Sequence, residues 1–370
     1  MEYRKLPHGG EKVSTIGIGS GSLKDATPQE IKDIVSYGMD QGVNLIDTVM
    51  YDTNAVDPIA ETLNGYRDEM MMQLHLGVWY PKGTYSRTRV LRNVKKGFEQ
   101  ELKNYNTDYA DIGLISYVDQ VKDFENIMSN GIFDYAKKLK QDGTIRHLGI
   151  SSHSEEICKL FIETGEIDVI MFSINAAYDF SPSRGMLSLS NERMELYREC
   201  EKQGIGITVM KAYGGGQLLN EKTSPFKRVM TIPQCIQYTL DRPGVISCLP
   251  GVRSRADLDY ALKFYSASEK ERDYSFIGNL PHKEMTGTCI YCNHCQPCPS
   301  KIDIGSVNKY LDLSRVGDDL AKDHYMKLSK NANDCTNCGT CEKNCPFNVD
   351  IRGRMIEAKK YFGSINNAKK

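Results

Sequence analysis

Residues 27–47, TPQEIKDIVSYGMDQGVNLID, decide how this chain folds. Thr27, followed by Pro28 and then by Glu30 three positions on from Thr27, is a capping box. The threonine hydroxyl accepts from the Glu30 N–H, the carboxylate returns to the Thr27 N–H, and proline in the first turn gives up no helical hydrogen bond. Gly42 stops the helix. Residues 43–46 then form a short apolar run that ends in Asp47. A strand that is apolar on both faces and follows a capped helix is the unit of a parallel sheet covered by helices.

Outward from this stretch the unit recurs. Upstream, residues 1–20 predict two short strands in a hairpin around His8, Gly9 and Gly10, followed by the run 14–19. Downstream come strands at 70–76, 112–115, 147–150, 169–172, 205–210 and 245–249, most of them followed by a helical stretch such as 88–102 or 132–141. About eight such units in one domain predict a closed (β/α)8 TIM barrel, with a doubly wound open sheet as the alternative. Chemistry in a barrel sits where the strands end. That singles out Asp47, Tyr51, His75, Ser116, Tyr117, Ser151, Ser152, His153, Asn175, Lys211 and the glycines 214–216.

With 47 Lys and Arg against 48 Asp and Glu, interspersed, there is no basic stripe and no nucleic-acid footprint. No apolar run approaches the ~20 residues that span a bilayer, and the N-terminal MEYRKLPHGG has no apolar signal core. We therefore expect no membrane association and a cytoplasmic location.

Eight of the 12 cysteines fall in two runs, CIYCNHCQPCP (289–299) and CTNCGTCEKNCP (335–346). A cysteine every third residue wraps three thiolates around one face of an iron–sulfur cubane, and a cysteine followed by proline supplies a fourth from farther off. Zinc usually takes paired CxxC motifs, and disulfides need an oxidising compartment. In two-cluster ferredoxins the last cysteine of each run crosses to the other cluster. Applied here, Cys289, Cys292, Cys295 and Cys345 hold one 4Fe-4S cluster, and Cys335, Cys338, Cys341 and Cys298 hold the other. The first run is one residue shorter than the bacterial spacing before Cys298. Oxygen-sensitive clusters suit the reducing cytoplasm of an anaerobe. The polar stretch 268–288 marks the boundary between a barrel domain, 1–275, and a small α-helical ferredoxin-like domain, 276–370, with helices expected at 304–313 and 321–329.

The stretches GVNLIDT, LRNVKKGFEQELKNYNTDYADIGLI, KKLKQDGTIRHLGISSHS, GIGITVMKAYGGGQLL and PGVRSRADLD resemble the aldo/keto reductase family, and the whole chain resembles its branch with a C-terminal 4Fe-4S domain. The resemblance implies an oxidoreductase acting on a small carbonyl or alcohol substrate. It also implies a tyrosine acid assisted by a lysine–aspartate pair and a histidine that orients the carbonyl. Carried over by position, Asp47 is the aspartate and Tyr51 the tyrosine, four residues on where the family has five. His75 stands at the lysine position and Ser116 at the histidine position. An ammonium ~4 Å from a phenol at an effective dielectric of ~20 is worth about 4 kcal/mol, or roughly three pKa units, which a neutral imidazole does not supply.

The resemblance also implies a nicotinamide site. Ser151, Asn175, Lys211, Gly214, Gly215 and Gly251 are its expected residues, with the glycine backbone placed for a pyrophosphate. Ser152, Met171 and Met210 replace family residues that hold or stack on the nicotinamide. Asp257 would repel a 2'-phosphate, which favours NAD(H) over NADP(H). The electron donor is then either NAD(H) or an external ferredoxin or flavodoxin. The alternative to an enzyme is an electron carrier with a vestigial barrel.

Plainer readings stand beside these. Asp47 caps a helix, Tyr51 is a buried tyrosine, His75 is a core histidine, His153 is a helix-entry residue and Ser116 is a space-maker. Met70–Met72 pack the core, and Cys158, Cys200, Cys235 and Cys248 are buried thiols.

Overall fold

A computed structural model describes residues 1–23, 26–49, 53–79, 86–183, 186–279, 287, 289, 291, 295–315, 319–345 and 347–367. By contact the chain forms two units. The first comprises Met1–Ile174, Asn191–Ala212 and Ile236–Lys270, and the second Asn175–Ser190, Tyr213–Cys235 and Glu271–Lys370. This division cuts across chain order, since two stretches that follow strands in mid-chain group with the C-terminal part.

The strands, in order, are β1 (Tyr3–Lys5), β2 (Lys12–Ser14), β3 (Ile18–Gly19), β4 (Leu45–Asp47), β5 (Met71–Leu76), β6 (Val78–Trp79), β7 (Ser86–Arg87), β8 (Ala110–Ile115), β9 (Ile145–Ser152), β10 (Val169–Ser173), β11 (Phe180–Ser183), β12 (Met186–Leu189), β13 (Gly206–Met210) and β14 (Val245–Cys248). Eight of them form one parallel sheet in the order β3-β4-β5-β8-β9-β10-β13-β14. The sheet curls until its ends meet. Ile16 and Gly19 bridge to Cys248 and Gly251, and the Gly17 and Cys248 N–H groups donate to the Cys248 and Thr15 carbonyls, both at 2.9 Å. The barrel expectation therefore holds over the open sheet.

The capping box is present. Thr27 Oγ1 accepts from the Glu30 N–H at 3.3 Å, and Glu30 Oε2 accepts from the Thr27 N–H at 2.7 Å. These bonds hold the exposed Glu30 carboxyl below its ordinary pKa. The helix Pro28–Asp40 buries Ile31, Ile34, Val35 and Gly38, one face at helical spacing. Gly42 ends it at φ +85, where a side chain would be strained.

Inside the sheet, Leu45, Met71, Ile112, Leu114, Val169, Met171, Ile246 and Leu249 pack together with Leu6 and Val13 of the β1–β2 hairpin. Each large apolar side chain so buried contributes about 1.5–3 kcal/mol. The hairpin sits where the strands begin: the Ser14 N–H donates to Asn44 Oδ1, just ahead of β4, at 2.7 Å. That leaves the other end of the sheet for chemistry. Gly149 lets β9 and β10 come close, since a Cβ there would lie 2.4 Å from the Val169 carbonyl oxygen. Met70 to Met72 are core, as are Cys158, Cys200, Cys235 and Cys248. Burial pushes the Cys200 and Cys248 thiols up to about 12, as expected of inert packing groups.

The second unit is mostly short helices: Ile304–Arg315, Asp319–Met326, Thr340–Asn344 and Ile351–Asn367. Tyr325 stacks on Phe362 with ring centroids 3.6 Å apart. So small a core calls for additional ties, and cysteines with bound metal are the usual ones. Among the described residues no helix is long and apolar enough to cross a membrane.

Candidate functional site

Sheet register assembles a polar array within the first unit. Asp47 at the end of β4 lies opposite Gln73 of β5, and His75, two residues on, points to the same side. Asp47 Oδ1 accepts from Gln73 Nε2 at 2.7 Å and from His75 Nε2 at 2.8 Å. Thr208 donates to Gln73 Oε1 at 3.0 Å, which fixes the orientation of the amide. The other imidazole nitrogen, Nδ1, stands 2.7 Å from Ser116 Oγ. Asp47 and His75 are 2% exposed, and Gln73, Ser116 and Thr208 are 0%. Burying an ion costs several kcal/mol, which close partners offset; here Asp47 Oδ1 has two.

The serine is held from outside the sheet. Arg89 donates to the Ser116 carbonyl at 2.7 Å, Arg87 donates to the Tyr117 carbonyl at 2.8 Å, and Asp123 pairs with both arginines. Tyr117 takes φ +56 under this clamp and stacks its ring on His75, centroids 6.3 Å apart. Ser116 is thus a partner of His75, not a space-maker.

Glu101 is a residue that sequence reasoning missed. It lies on the helix Leu91–Asn104, in phase with the buried Val94 and Phe98, and that phase was the available signal. The residue is part-exposed overall, but its carboxyl turns inward to the His75 backbone N–H. Burial, with a smaller push from the Asp47 charge, raises its pKa well above the ordinary value, and the N–H bond opposes this. The neighbouring Tyr105 hydroxyl is likewise pushed well up, first by burial and then by Glu101. Gln73 and Thr208 carried no sequence signal at all.

The remaining predicted residues divide. Tyr51 lies outside the described residues. Ser151 Oγ accepts from the Tyr117 N–H at 2.9 Å. Asn175 Oδ1 caps the short turn Ala176–Asp179 by accepting from the Tyr178 N–H at 3.1 Å. Lys211 has φ +63. Gly214, Gly215 and Gly216 all have positive φ, but the N–H groups of Gly216, Gln217 and Leu218 turn back onto the Tyr213 and Gly214 carbonyls. Gly251 belongs to the closure of the sheet. His153 is a structural residue: its N–H donates to Asp119 Oδ1 at 2.6 Å just before the helix that Ser154 caps.

In the second unit Cys298, Cys335, Cys338 and Cys341 border one hollow of about 360 Å³, open solvent included, whose other walls include Ile302, Ile304, Ile351 and Met355. Three of these thiols come from the second run and one from the first. Among the described residues no group of three or more metal-ligating side chains comes together at single-ion spacing. Four thiols around a hollow instead suit a body larger than an ion, and the residues fit a cubane. The Asn337 N–H points at Cys335 Sγ, 3.4 Å away, as a donor to a ligating sulfur would. Hydrogen bonds from Thr340 hold the exposed Cys338 thiol below its usual pKa, while burial raises that of Cys341. Cys295 is buried and Cys289 and Cys345 are half-buried. Cys292 lies outside the described residues.

Comparison with known proteins agrees with this geometry. Residues 15–231 match the aldo/keto reductase family, and residues 288–350 match a 4Fe-4S dicluster domain. Two proteins of Bacillus subtilis, the uncharacterized oxidoreductases YqkF and YcsN, are 23% and 24% identical over 208 and 159 residues, or 53% and 41% of this chain. The chain spans 63% and 45% of their lengths. Among solved structures, the holo form of aldo-keto reductase AKR11C1 from Bacillus halodurans superposes with a TM-score of 0.60 at 20% identity, covering 74% of this chain and 94% of that one. An aldo/keto reductase of Klebsiella pneumoniae in complex with NADP and acetate gives 0.52 at 18% identity, covering 71% and 90%. These likenesses establish the fold. With the family match spanning more than half of its length, the chain belongs to the aldo/keto reductase family and carries a C-terminal 4Fe-4S dicluster domain.

Proposed function

We propose that this protein is an iron–sulfur oxidoreductase that interconverts a small carbonyl compound and its alcohol at the barrel mouth, without the family's usual aspartate–tyrosine–lysine–histidine set. Two 4Fe-4S clusters, one on Cys289, Cys292, Cys295 and Cys345 and the other on Cys298, Cys335, Cys338 and Cys341, supply single-electron transfer when bound.

The observation that carries this reading is His75, whose two ring nitrogens face Asp47 at 2.8 Å and Ser116 at 2.7 Å. With the ring neutral, Nε2–H donates to Asp47 and Nδ1 accepts from the Ser116 hydroxyl. With the ring protonated, Nδ1–H donates to Ser116 Oγ, and the hydroxyl turns to the Leu114 carbonyl 3.2 Å away. Both ring nitrogens keep a hydrogen-bond partner in either form and only the Ser116 hydroxyl turns, so the array can pass a proton with its heavy atoms in place. Reducing the carbonyl takes two electrons, delivered one at a time by the external donor through the clusters, and two protons; Tyr51 is the residue we assign to pass one from the array to the substrate oxygen, and solvent supplies the other to carbon. Proton donation of this kind contributes about 10²- to 10⁴-fold to rate.

We read the electron source as an external ferredoxin or flavodoxin over NAD(H). Met171 offers a thioether where an amide would hold the nicotinamide, and it lies 3.6 Å from Gln73 Nε2. Asn175 Oδ1 and three N–H groups beside the glycine triplet are taken by local bonds. An electron carrier that never handles substrate has no use for a buried, hydrogen-bonded Asp–His–Gln–Thr array, whose desolvation costs several kcal/mol per ion.

The test uses anaerobic full-length protein, reduced methyl viologen and a series of short aldehydes. Asp47→Asn should lower turnover by about 10²-fold or more at unchanged iron content; unchanged turnover would sink the proton-store reading. NADH fluorescence should stay unquenched on titration, and saturable quenching would return NAD(H) to the barrel.

A further inference from the structure

A second polar chain, part-buried within the C-terminal unit, plays no part in the proton chemistry above. Tyr291 sits two residues after Cys289, at φ +61, a left-handed conformation that a tyrosine takes only under constraint. The constraint is visible. Its hydroxyl donates to Asp312 Oδ2 at 2.7 Å and accepts from Gln217 Nε2 at 2.9 Å. Arg354 donates to the same Asp312 oxygen at 2.5 Å and to Asn308 Oδ1 at 2.6 Å. The Tyr178 ring meets the Tyr291 ring edge-on, centroids 5.6 Å apart.

Two features show that more than packing is at work. Gln217 is 4% exposed and Asn308 is 0%, yet Gln217 Oε1 and Asn308 Nδ2 have no hydrogen-bond partner among the described residues. An ion pair and orphaned amide atoms cost more to bury than apolar filling of the same shape. The chain also has a direction. It runs from Gln217, beside the glycine triplet, through the hydroxyl of a residue inside the first cysteine run, to a fixed carboxylate and guanidinium. The Cys289 thiol is close enough to act electrostatically on both Tyr291 and Arg354.

Reducing a cluster adds one negative charge, so fixed charges nearby bias its potential, a carboxylate against reduction and a guanidinium towards it. We propose that Tyr291, Asp312 and Arg354 are positioning residues that set the reduction potential of the cluster carried by Cys289 and Cys295, and that Gln217 ties this setting to the glycine loop. The inference rests on the iron–sulfur reading above.

The experiment is EPR-monitored potentiometry on the reconstituted full-length chain, after iron and acid-labile sulfide have been measured. Asp312→Asn should raise the potential of one cluster and Arg354→Gln should lower that of the same cluster. Each shift should be on the order of a tenfold change in the reduced-to-oxidised ratio, or about 59 mV for a one-electron couple. Tyr291→Phe, which leaves the carboxylate less screened, and Gln217→Leu should move the same cluster by less, Tyr291→Phe downward. The second cluster should stay where it is.

Shifts of the same sign in Asp312→Asn and Arg354→Gln, equal movement of both clusters, or no movement would overturn the proposal. Should Arg354→Gln not fold, the opposite signs expected of Asp312→Asn and Tyr291→Phe decide it. Full iron with unmoved potentials removes this inference alone, whereas protein without iron removes the iron–sulfur reading with it.

Discussion

In the first unit, Asp47, His75 and Ser116 are 0–2% exposed, and the contacting atoms of Asp47 and His75 are each matched across neighbouring strands. In the second, Cys338 is exposed and Cys289, Cys298, Cys335, Cys341 and Cys345 are only half-buried, on loops and one-turn helices. The first centre is set by strand order and closure of a sheet. The second places four of its thiols, Cys298, Cys335, Cys338 and Cys341, around a hollow, where a bound cluster would couple metal binding to the order of the unit. On the function proposed above, the first would be the proton site and the second the electron site of one protein.

The comparison breaks most visibly at Cys298. If it belongs with the second run, Cys298→Ser should lose about half the iron and acid-labile sulfide and leave the same residual EPR spectrum as Cys338→Ser. A spectrum matching Cys295→Ser instead would put the cysteine back in its own run. The barrel centre should respond less drastically. Ser116→Ala strands His75 Nδ1 in a buried site, and denaturant unfolding should show a loss of about 1–3 kcal/mol with iron content intact. No loss would mean that the serine contact is incidental.

Glu101 sharpens the contrast by the smallest amount. Its folded pKa is raised from the ordinary 4.5, so the folded state binds the proton more tightly than the unfolded chain does. The stability this adds is present below about pH 4.5 and is lost as pH rises towards the folded value, with a slope of up to ~1.4 kcal/mol per pH unit. Glu101→Gln should flatten that decline in unfolding measurements made from about pH 4.5 upward. An unchanged slope would place the source elsewhere.

Much of the fold was legible because its signals are local. The Thr27 capping box, the apolar strand at 45–47 and the cysteine spacing each lie within a few residues of one another. The helices read at 304–313 and 321–329 appear as Ile304–Arg315 and Asp319–Met326 for the same reason. The site was legible only in part. Asp47 and His75 stand out because they lie where strands end, whereas Ser116 looks like a space-maker from its neighbours alone, and no local motif marks Gln73, Thr208 or Glu101. An apolar-looking strand does not announce which of its polar residues faces inward until its neighbours are known.

The sequence by itself determined the eight-strand rhythm, the capped helices and two thiolate runs, because caps, periodicity and ligand spacing act over one or two turns of chain. Only the tertiary structure decided that His75 joins Asp47 28 residues away and Ser116 41 away, that Gln73 meets Thr208 across 135, and that Cys298 borders the hollow of the second run. Those pairings follow from strand order and register, which closure of the whole sheet sets and no short segment encodes.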